Sequence, residues 1–201
     1  MRLLFLLSVL LLAGCGGGPK LPPLPDDAII LAFGDSLTYG TGAGRGDDYP
    51  SVLATLTGHR VVNAGVPGEE STAGLARLPA VLESAQPQLV FLGHGGNDLL
   101  RHRDLAQTRD NLRRMVELVR ARGASPVLLG VPKPGLFLGT HPLYRELAAE
   151  LDVPLEDEAL ADILGDRELK SDEIHPNAAG YRRLAEALDQ LLQNSGALEG
   201  R

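Results

Sequence analysis

The sequence predicts an α/β protein, a three-layer α/β/α sandwich built around a mainly parallel sheet. Short apolar runs typical of buried strands occur at 28–33, 60–64, 88–93 and 126–131, and each ends in a turn rich in Gly or Pro. Helical patterns lie between these runs. Because strands and helices alternate, we expect the strands to run parallel and the helices to cover both faces of the sheet.

Two helices are clear from the spacing of their residues. The first shows helical spacing over residues 105–119, and Gly123 follows it as a stop signal. The last carries one apolar stripe over residues 181–192 and follows Pro176, a residue type favoured in the first turn of a helix.

The length and composition of the chain are those of one globular domain. Its 201 residues are 44% hydrophobic and 22% charged, and only 4% are aromatic, so the core is expected to be mostly aliphatic. We place the domain at residues 28–193 and expect residues 194–201 to form a disordered tail.

Residues 1–14 have the pattern of a secretory signal peptide. Arg2 supplies a positive charge, residues 3–12 are almost entirely apolar, and two small residues precede Cys15. The apolar stretch falls short of the roughly 20 residues that a membrane-spanning helix needs. Leu-Ala-Gly-Cys at 12–15 also resembles the lipobox of bacterial lipoproteins, which predicts a lipid on Cys15 and anchorage in the cell envelope, facing the periplasm. The alternative is an unmodified Cys15 behind an ordinary signal peptide, in a secreted or periplasmic protein.

The segment that follows is rich in Gly and Pro, which predicts a flexible tether over residues 15–27. The formal net charge of the whole chain is −7, and an acidic surface disfavours nucleic-acid partners. We expect a monomer whose partners are a small-molecule substrate and, through Cys15, a membrane.

Polar residues follow the predicted strands at the edge where parallel sheets bind ligands. Gly-Asp-Ser-Leu occupies 34–37, Asn-Ala-Gly-Val-Pro-Gly occupies 63–68, and Gly-His-Gly-Gly-Asn-Asp occupies 93–98. Just before the last helix, residues 172–176 read Asp-Glu-Ile-His-Pro, and a turn there brings the carboxylate against the imidazole.

These residues supply the parts of an acyl-transfer site. Ser36 is the candidate nucleophile, His175 the candidate general base and Asp172 the group that orients the imidazole. The candidate oxyanion donors are the backbone N–H of Ser36, the backbone N–H of Gly65 and the side-chain amide of Asn97. Each motif alone is more often an ordinary turn or helix cap, and it is their combination and order that favour catalysis. The chain lacks the Gly-x-Ser-x-Gly turn of α/β-hydrolases, which argues against that fold.

Together, Gly-Asp-Ser-Leu, a Gly after the second strand, Gly-Gly-Asn-Asp and Asp-x-x-His-Pro resemble the motifs of the SGNH (GDSL-type) hydrolases. Length and spacing are similar to the bacterial esterase/thioesterase/lysophospholipase I subgroup. The resemblance implies a flavodoxin-like, five-stranded parallel sheet, a Ser-His-Asp triad with a three-donor oxyanion hole, and no metal or organic cofactor. It also implies hydrolysis of carboxylic esters such as lysophospholipids and aryl or acyl esters, with thioesters as an open alternative.

Among the other histidines, His94 is the main competitor for the role of base because it precedes Gly-Gly-Asn-Asp, although packing or lining the cleft is the favoured interpretation. The remaining histidines are scattered without ligand spacing, which disfavours a metal site.

The connection at 131–144 is rich in apolar residues, and we predict that Leu136, Phe137 and Leu138 help to select the acyl group, with core packing equally compatible.

Two other functions remain open from the sequence. One is a carbohydrate O-deacetylase, since related folds remove acetyl groups from sugars. The other is a non-catalytic envelope lipoprotein that has kept the fold, which the complete set of candidate catalytic residues disfavours.

Overall fold

A computed structural model of the chain describes residues 18–133, 135 and 139–198. The predicted signal peptide, Cys15 and the predicted acyl-selecting residues Leu136, Phe137 and Leu138 lie outside these ranges. No helix among the described residues is long and apolar enough to cross a membrane. The elements are, in chain order, β1 (Ile29–Gly34), α1 (Ser36–Tyr39), α2 (Tyr49–Thr57), β2 (Arg60–Gly65), α3 (Ser71–Ala85), β3 (Leu89–Gly93), α4 (Gly96–Leu100), α5 (Leu105–Ala121), β4 (Ser125–Leu129), α6 (Pro142–Leu151), β5 (Leu155–Glu156), α7 (Ala159–Gly165) and α8 (Ala178–Ser195).

The five strands form one parallel sheet in the order β2-β1-β3-β4-β5. This confirms the predicted fold class. Gly34 is in register with Gly65 on one side and with Gly93 on the other, so that β2, β1 and β3 reach the same edge at the same level. The loops that carry the candidate catalytic motifs therefore leave the sheet side by side.

Helices cover both faces of the sheet because successive residues of each strand point to opposite sides. Ile30 and Ala32 of β1 pack in one cluster with buried side chains of α2, α7 and α8. Leu31 and Phe33 pack in a second cluster with side chains of α3, α5 and α6. Each fully buried large aliphatic or aromatic side chain stabilises the fold by roughly 1.5–3 kcal/mol, and these two clusters hold the three layers together.

Side-chain caps fix where the two predicted long helices begin. Asp104 caps α5, and its carboxylate accepts hydrogen bonds from the N–H groups of Ala106 and Gln107. Asn177 caps α8 by accepting from the N–H of Gly180. Pro176 therefore lies before the cap of α8, and the prediction that it occupies the first turn is wrong.

Parts of the predicted tether and of the predicted tail contact each other and the domain. The N–H of Leu21 donates to the Ser195 carbonyl at 3.0 Å, and the N–H of Leu24 donates to the Ala197 carbonyl at 2.8 Å. Leu21 and Ala197 are buried in the cluster beneath α8. Apolar side chains thus pack residues 21–24 and 195–198 against the domain, although both segments look like linkers by composition.

Candidate active site

Ser36 is presented by a sharp turn between β1 and α1. Asp35 caps α1, and its Oδ1 accepts from the N–H of Leu37 at 3.0 Å. Gly34 is required at the end of the strand because a Cβ there would lie 2.1 Å from Thr38 Oγ1. The turn places Ser36 at the first position of α1, and its N–H has no partner among the residues that the structure describes.

Asp172, His175 and Ser36 form a continuous hydrogen-bonded relay. Asp172 Oδ2 lies 2.8 Å from His175 Nδ1, and His175 Nε2 lies 3.0 Å from Ser36 Oγ. The other oxygen of Asp172 accepts from the backbone N–H groups of Ile174 and His175, which fixes the turn. The structure brings together the three residues proposed from the sequence as nucleophile, base and orienting group.

The carboxylate of Asp172 remains ionised in this arrangement. Partial burial alone would raise its pKa, but the hydrogen bonds from the His175 imidazole and the two backbone amides outweigh burial and lower the pKa below its usual range. An ionised Asp172 can only accept from Nδ1, so Nδ1 carries the proton and Nε2 is the acceptor that faces the Ser36 hydroxyl.

Asn97 lies between the Ser36 turn and the loop after β2. Its Nδ2 donates to Asp35 Oδ2 at 3.0 Å and to the Glu69 carbonyl at 3.1 Å. Burial raises the pKa of Asp35, and the Leu37 N–H and the neighbouring His94, Asn97 and His175 oppose that rise. Asn97 is therefore held by two loops, with its amide at the wall of the cleft beside Ser36.

Gly65 does not have the free N–H that the sequence interpretation required. Its N–H donates to Asn63 Oδ1 at 2.9 Å. A Cβ on Gly65 would lie 2.1 Å from the backbone nitrogen of Tyr39, so glycine is needed there for the close packing of α1 on β2.

Gly68, three residues further on, has the free backbone N–H instead. Its φ is +76°, and its N–H has no partner among the described residues. Its carbonyl accepts from Arg101 Nη1 at 2.9 Å, and the next carbonyl, that of Glu69, accepts from Asn97. Both glycines are visible in the sequence 63–68, and the Asn63 contact of Gly65 and the positive φ of Gly68 distinguish them.

A buried ionic cluster stands behind this loop. Glu69 Oε2 lies 2.8 Å from His94 Nε2 and 2.7 Å from Arg77 Nη2. Burial alone would raise the pKa of Glu69, but the His94 and Arg77 hydrogen bonds lower it to about 2. Arg77 also donates to the Ala64 carbonyl and lies over the ring of Phe33, 4.1 Å from its centroid.

The imidazole of His94 is fully buried and contacts Glu69 and Phe33 rather than Ser36. The structure thus places His94 behind the loop that carries Gly68 and Glu69, and His175 beside Ser36. Asp98, the residue after Asn97, accepts from the N–H and hydroxyl of Ser71 and so connects α4 to the start of α3.

The relay opens into a cleft of about 570 Å³ whose wall includes Ser36, Asn97 and His175. The apolar part of the wall comes from aliphatic residues on five separate segments, a contribution that the sequence interpretation missed. These residues are Leu37, Leu100, Val131, Leu164 and Ile174. Among the described residues, no group of three or more His, Cys, Asp or Glu side chains is placed to hold a metal ion.

Comparison with known proteins identifies the family. A family model described as the GDSL-like Lipase/Acylhydrolase family matches residues 32–183, more than half of the chain. The chain belongs to this family. The matched range contains Ser36, Asn97, Asp172 and His175, and the family assignment confirms the resemblance stated from the sequence motifs.

Relatives within the GDSL family cover most of the chain. It is 34% identical over 172 residues to Thioesterase 1/protease 1/lysophospholipase L1 of Escherichia coli K12, covering 82% of this chain and 83% of that protein. It is 33% identical over 193 residues to Esterase TesA of Pseudomonas aeruginosa, covering 90% and 95%. Among solved structures, that of TesA has a TM-score of 0.75 at 32% identity and covers 83% of this chain and 99% of that chain. The structure of AlinE4, a SGNH-hydrolase family esterase, has a TM-score of 0.64 at 32% identity, covering 86% and 98%.

Proposed function

We propose that this GDSL-family protein is a serine esterase that hydrolyses carboxylic esters through an acyl-enzyme intermediate. The observation that supports this most directly is the relay from Asp172 through His175 to Ser36, with contacts of 2.8 and 3.0 Å. Both distances lie within the range in which a base can take a proton from a hydroxyl.

Each step follows from the positions of these atoms. His175 Nε2 takes the Ser36 proton as Oγ attacks the ester carbonyl carbon, and Asp172 stabilises the resulting imidazolium. The imidazolium then gives the proton to the leaving alkoxide as the carbon–oxygen bond breaks. A water molecule attacks the acyl-enzyme in the second half of the reaction, again losing its proton to Nε2, and the acid product leaves as Ser36 recovers its proton.

The negative charge that develops on the carbonyl oxygen needs fixed donors. We assign this role to the backbone N–H groups of Ser36 and Gly68, of which Gly68 replaces Gly65, and to the amide of Asn97. Both N–H bonds of Asn97 Nδ2 already donate, to Asp35 Oδ2 and to the Glu69 carbonyl, so Asn97 serves the oxyanion by exchanging one of these contacts. The N–H groups of Ser36 and Gly68 have no partner among the residues that the structure describes, and the Glu69 carbonyl joins the Gly68 loop to Asn97. Each such donor typically contributes on the order of 3 kcal/mol to lowering the barrier.

The proposed substrates are lysophospholipids and aryl or acyl esters, with thioesters as a further class. The names of the relatives support this range, since they include a thioesterase/lysophospholipase, an esterase and an arylesterase. The aliphatic wall of the cleft offers a surface on which an acyl chain can be buried.

We further propose that the protein acts as a monomer anchored in the bacterial cell envelope by a lipid on Cys15, facing the periplasm. The support for the lipid anchor is the sequence pattern of residues 1–15. Mass spectrometry of the mature amino terminus tests it, because a diacylated Cys15 and an unmodified chain cleaved at another site differ by the mass of the lipid.

The deciding experiment is a substrate panel with wild type, Ser36→Ala and Ser125→Ala. Ser125 lies at the start of β4, away from the cleft, and controls for the loss of a serine hydroxyl. We expect fluorophosphonate labelling and ester hydrolysis in wild type and Ser125→Ala, and a loss of at least about 10³-fold in Ser36→Ala. A Ser36→Ala protein that keeps wild-type hydrolysis would overturn the proposal.

A further inference from the structure

The catalytic cleft contains two cationic side chains that have no ionic partner in the part of the chain that the structure describes. Lys133 lies on the segment after β4 and Arg167 lies after α7, so they reach the cleft from two separate parts of the chain. Both are exposed to solvent, and neither forms a salt bridge or a side-chain hydrogen bond with any described residue.

The other charged side chains that line the cleft have partners of their own. Lys170 is paired with Glu173 at 3.1 Å. Asp35 is buried beneath the cleft, where Leu37 and Asn97 donate to it. The chain as a whole carries a net charge of −7. The two positive charges in the cleft that lack an ionic partner are therefore opposite in sign to the net charge of the protein.

The acidic residues next to Arg167 in the sequence do not neutralise its positive charge. Asp166 and Glu168 flank it in the sequence, but neither lines the cleft and neither pairs with its guanidinium. The carboxylate of Asp166 instead accepts from the backbone N–H of Glu168. The guanidinium is therefore free to bind an anion, with a planar set of donors that matches phosphate or carboxylate.

We propose that Lys133 and Arg167 form an anion-binding subsite that selects esters carrying a phosphate or carboxylate group. This proposal rests on the esterase function proposed above. The acyl chain lies along aliphatic residues of the cleft such as Leu100 and Ile174, the ester carbonyl lies at Ser36, and the anionic group contacts the two cations. The preferred substrates are thus amphiphilic anionic esters rather than neutral ones.

Matched aryl esters test the subsite. The probes are methyl 4-butyryloxybenzoate, which is neutral, 4-butyryloxybenzoate, which carries a carboxylate, and 4-butyryloxyphenyl phosphate. Values of kcat/KM are measured at low and at high ionic strength for wild type, Lys133→Gln, Arg167→Gln and the double variant. Arg183→Gln is the matched control, because Arg183 is exposed on α8 outside the cleft and its replacement changes the net charge equally.

We expect the preference for each anionic ester, taken as its kcat/KM relative to that of the neutral ester, to fall by about two- to fivefold for each cation removed, mainly through KM. The preference should also shrink as salt rises, because exposed charges are screened. The phosphate and carboxylate probes show which anion the subsite favours.

Two results would overturn the subsite: a preference in wild type that does not change with salt, or the same preference in the double variant and in Arg183→Gln. In both cases hydrolysis of the neutral ester would leave the esterase function standing. If wild type cleaves none of the three esters and fluorophosphonates do not label it, the proposed function itself has failed.

Discussion

The carboxylate of Glu69 lies against the buried imidazole of His94, with 2.8 Å between Oε2 and Nε2. Arg77 donates to the same carboxylate, while the backbone carbonyl of Glu69 accepts from Asn97. One residue thus connects a buried ionic cluster to the amide at the cleft wall. The free N–H of Gly68 belongs to the adjoining residue, so the cluster also restrains that donor.

Replacing Glu69 by Gln should lower kcat more than it changes KM. The amide keeps the shape of the side chain but brings an N–H₂ group toward donors on Arg77 and His94, which loosens the loop that carries Gly68 and contacts Asn97. We expect kcat to fall by about tenfold, with KM for a neutral aryl ester changed less than about threefold. Steady-state kinetics, with active sites counted by fluorophosphonate titration, gives both values.

Glu150→Gln is the matched control for this substitution. Glu150 also accepts from two arginines, Arg109 and Arg113, but on the surface between α5 and α6. The Glu150→Gln substitution should leave kcat unchanged. A boronic acid that mimics the tetrahedral intermediate should bind Glu69→Gln more weakly in proportion to the loss in kcat/KM. Wild-type affinity for this inhibitor in Glu69→Gln would mean that the cluster is only structural.

The same cluster predicts a pH dependence of stability. Glu69 has a pKa of about 2 in the folded protein against an ordinary value of 4.5, so its ionised form stabilises the fold. A depressed pKa means that this contribution is complete above about pH 4.5 and is lost as the pH falls toward 2. The difference in Tm between wild type and Glu69→Gln should therefore shrink as the pH is lowered. Circular dichroism melts from about pH 6 to about pH 3 measure it, and a difference that stays constant would contradict the assignment.

Asp172→Asn should reduce kcat while leaving the fold intact. An amide at position 172 presents either an oxygen or an N–H₂ group to His175 Nδ1, and the second orientation favours the tautomer whose Nε2 carries the proton and cannot accept from Ser36. We expect kcat to fall by about 10²- to 10⁴-fold. Asp152→Asn, an equal change of charge at an exposed site with a φ of +49° that Asn tolerates, should have wild-type kinetics. Equal activity of Asp172→Asn and wild type would remove Asp172 from the relay.

Much of the fold was predictable because its signals are local. Four strands are long enough to show as apolar runs, and Asp172 and His175 are only three residues apart, so one turn joins them. The strand β5 has two residues, too few to carry any pattern. The burial of Leu21 depends on packing against the end of α8, which composition does not reveal.

The cluster formed by Glu69, His94 and Arg77 was not predictable for a different reason. Glu69 and His94 are 25 residues apart, and their contact depends on the neighbouring positions of β2, β1 and β3 in the sheet. The sequence shows a glycine at both 65 and 68 and does not indicate which of them has the free N–H. In the structure, the Asn63 side chain accepts from the N–H of Gly65. Long-range packing thus determined the parts of the site that the motifs left open.

The choice between Gly68 and Gly65 as oxyanion donor can be tested through two asparagines. Asn97→Ala removes one proposed donor and releases the Glu69 carbonyl, so kcat should fall by about 10²- to 10³-fold with little change in KM. Asn63→Ala frees the N–H of Gly65 and should leave kcat within about fivefold of wild type, with some loss of stability, because Asn63 also donates to the Thr38 carbonyl.

A crystal structure of the Ser36 phosphonate adduct gives the direct answer. We expect a phosphoryl oxygen within about 3.2 Å of the backbone nitrogens of Ser36 and Gly68 and of Asn97 Nδ2. The Gly65 N–H should still donate to Asn63, as it does without ligand. In an adduct that contradicts this assignment, Asn63 has moved away and the N–H of Gly65 contacts the phosphoryl oxygen. The oxyanion donor would then be Gly65, and Gly68 would have no role in the oxyanion hole.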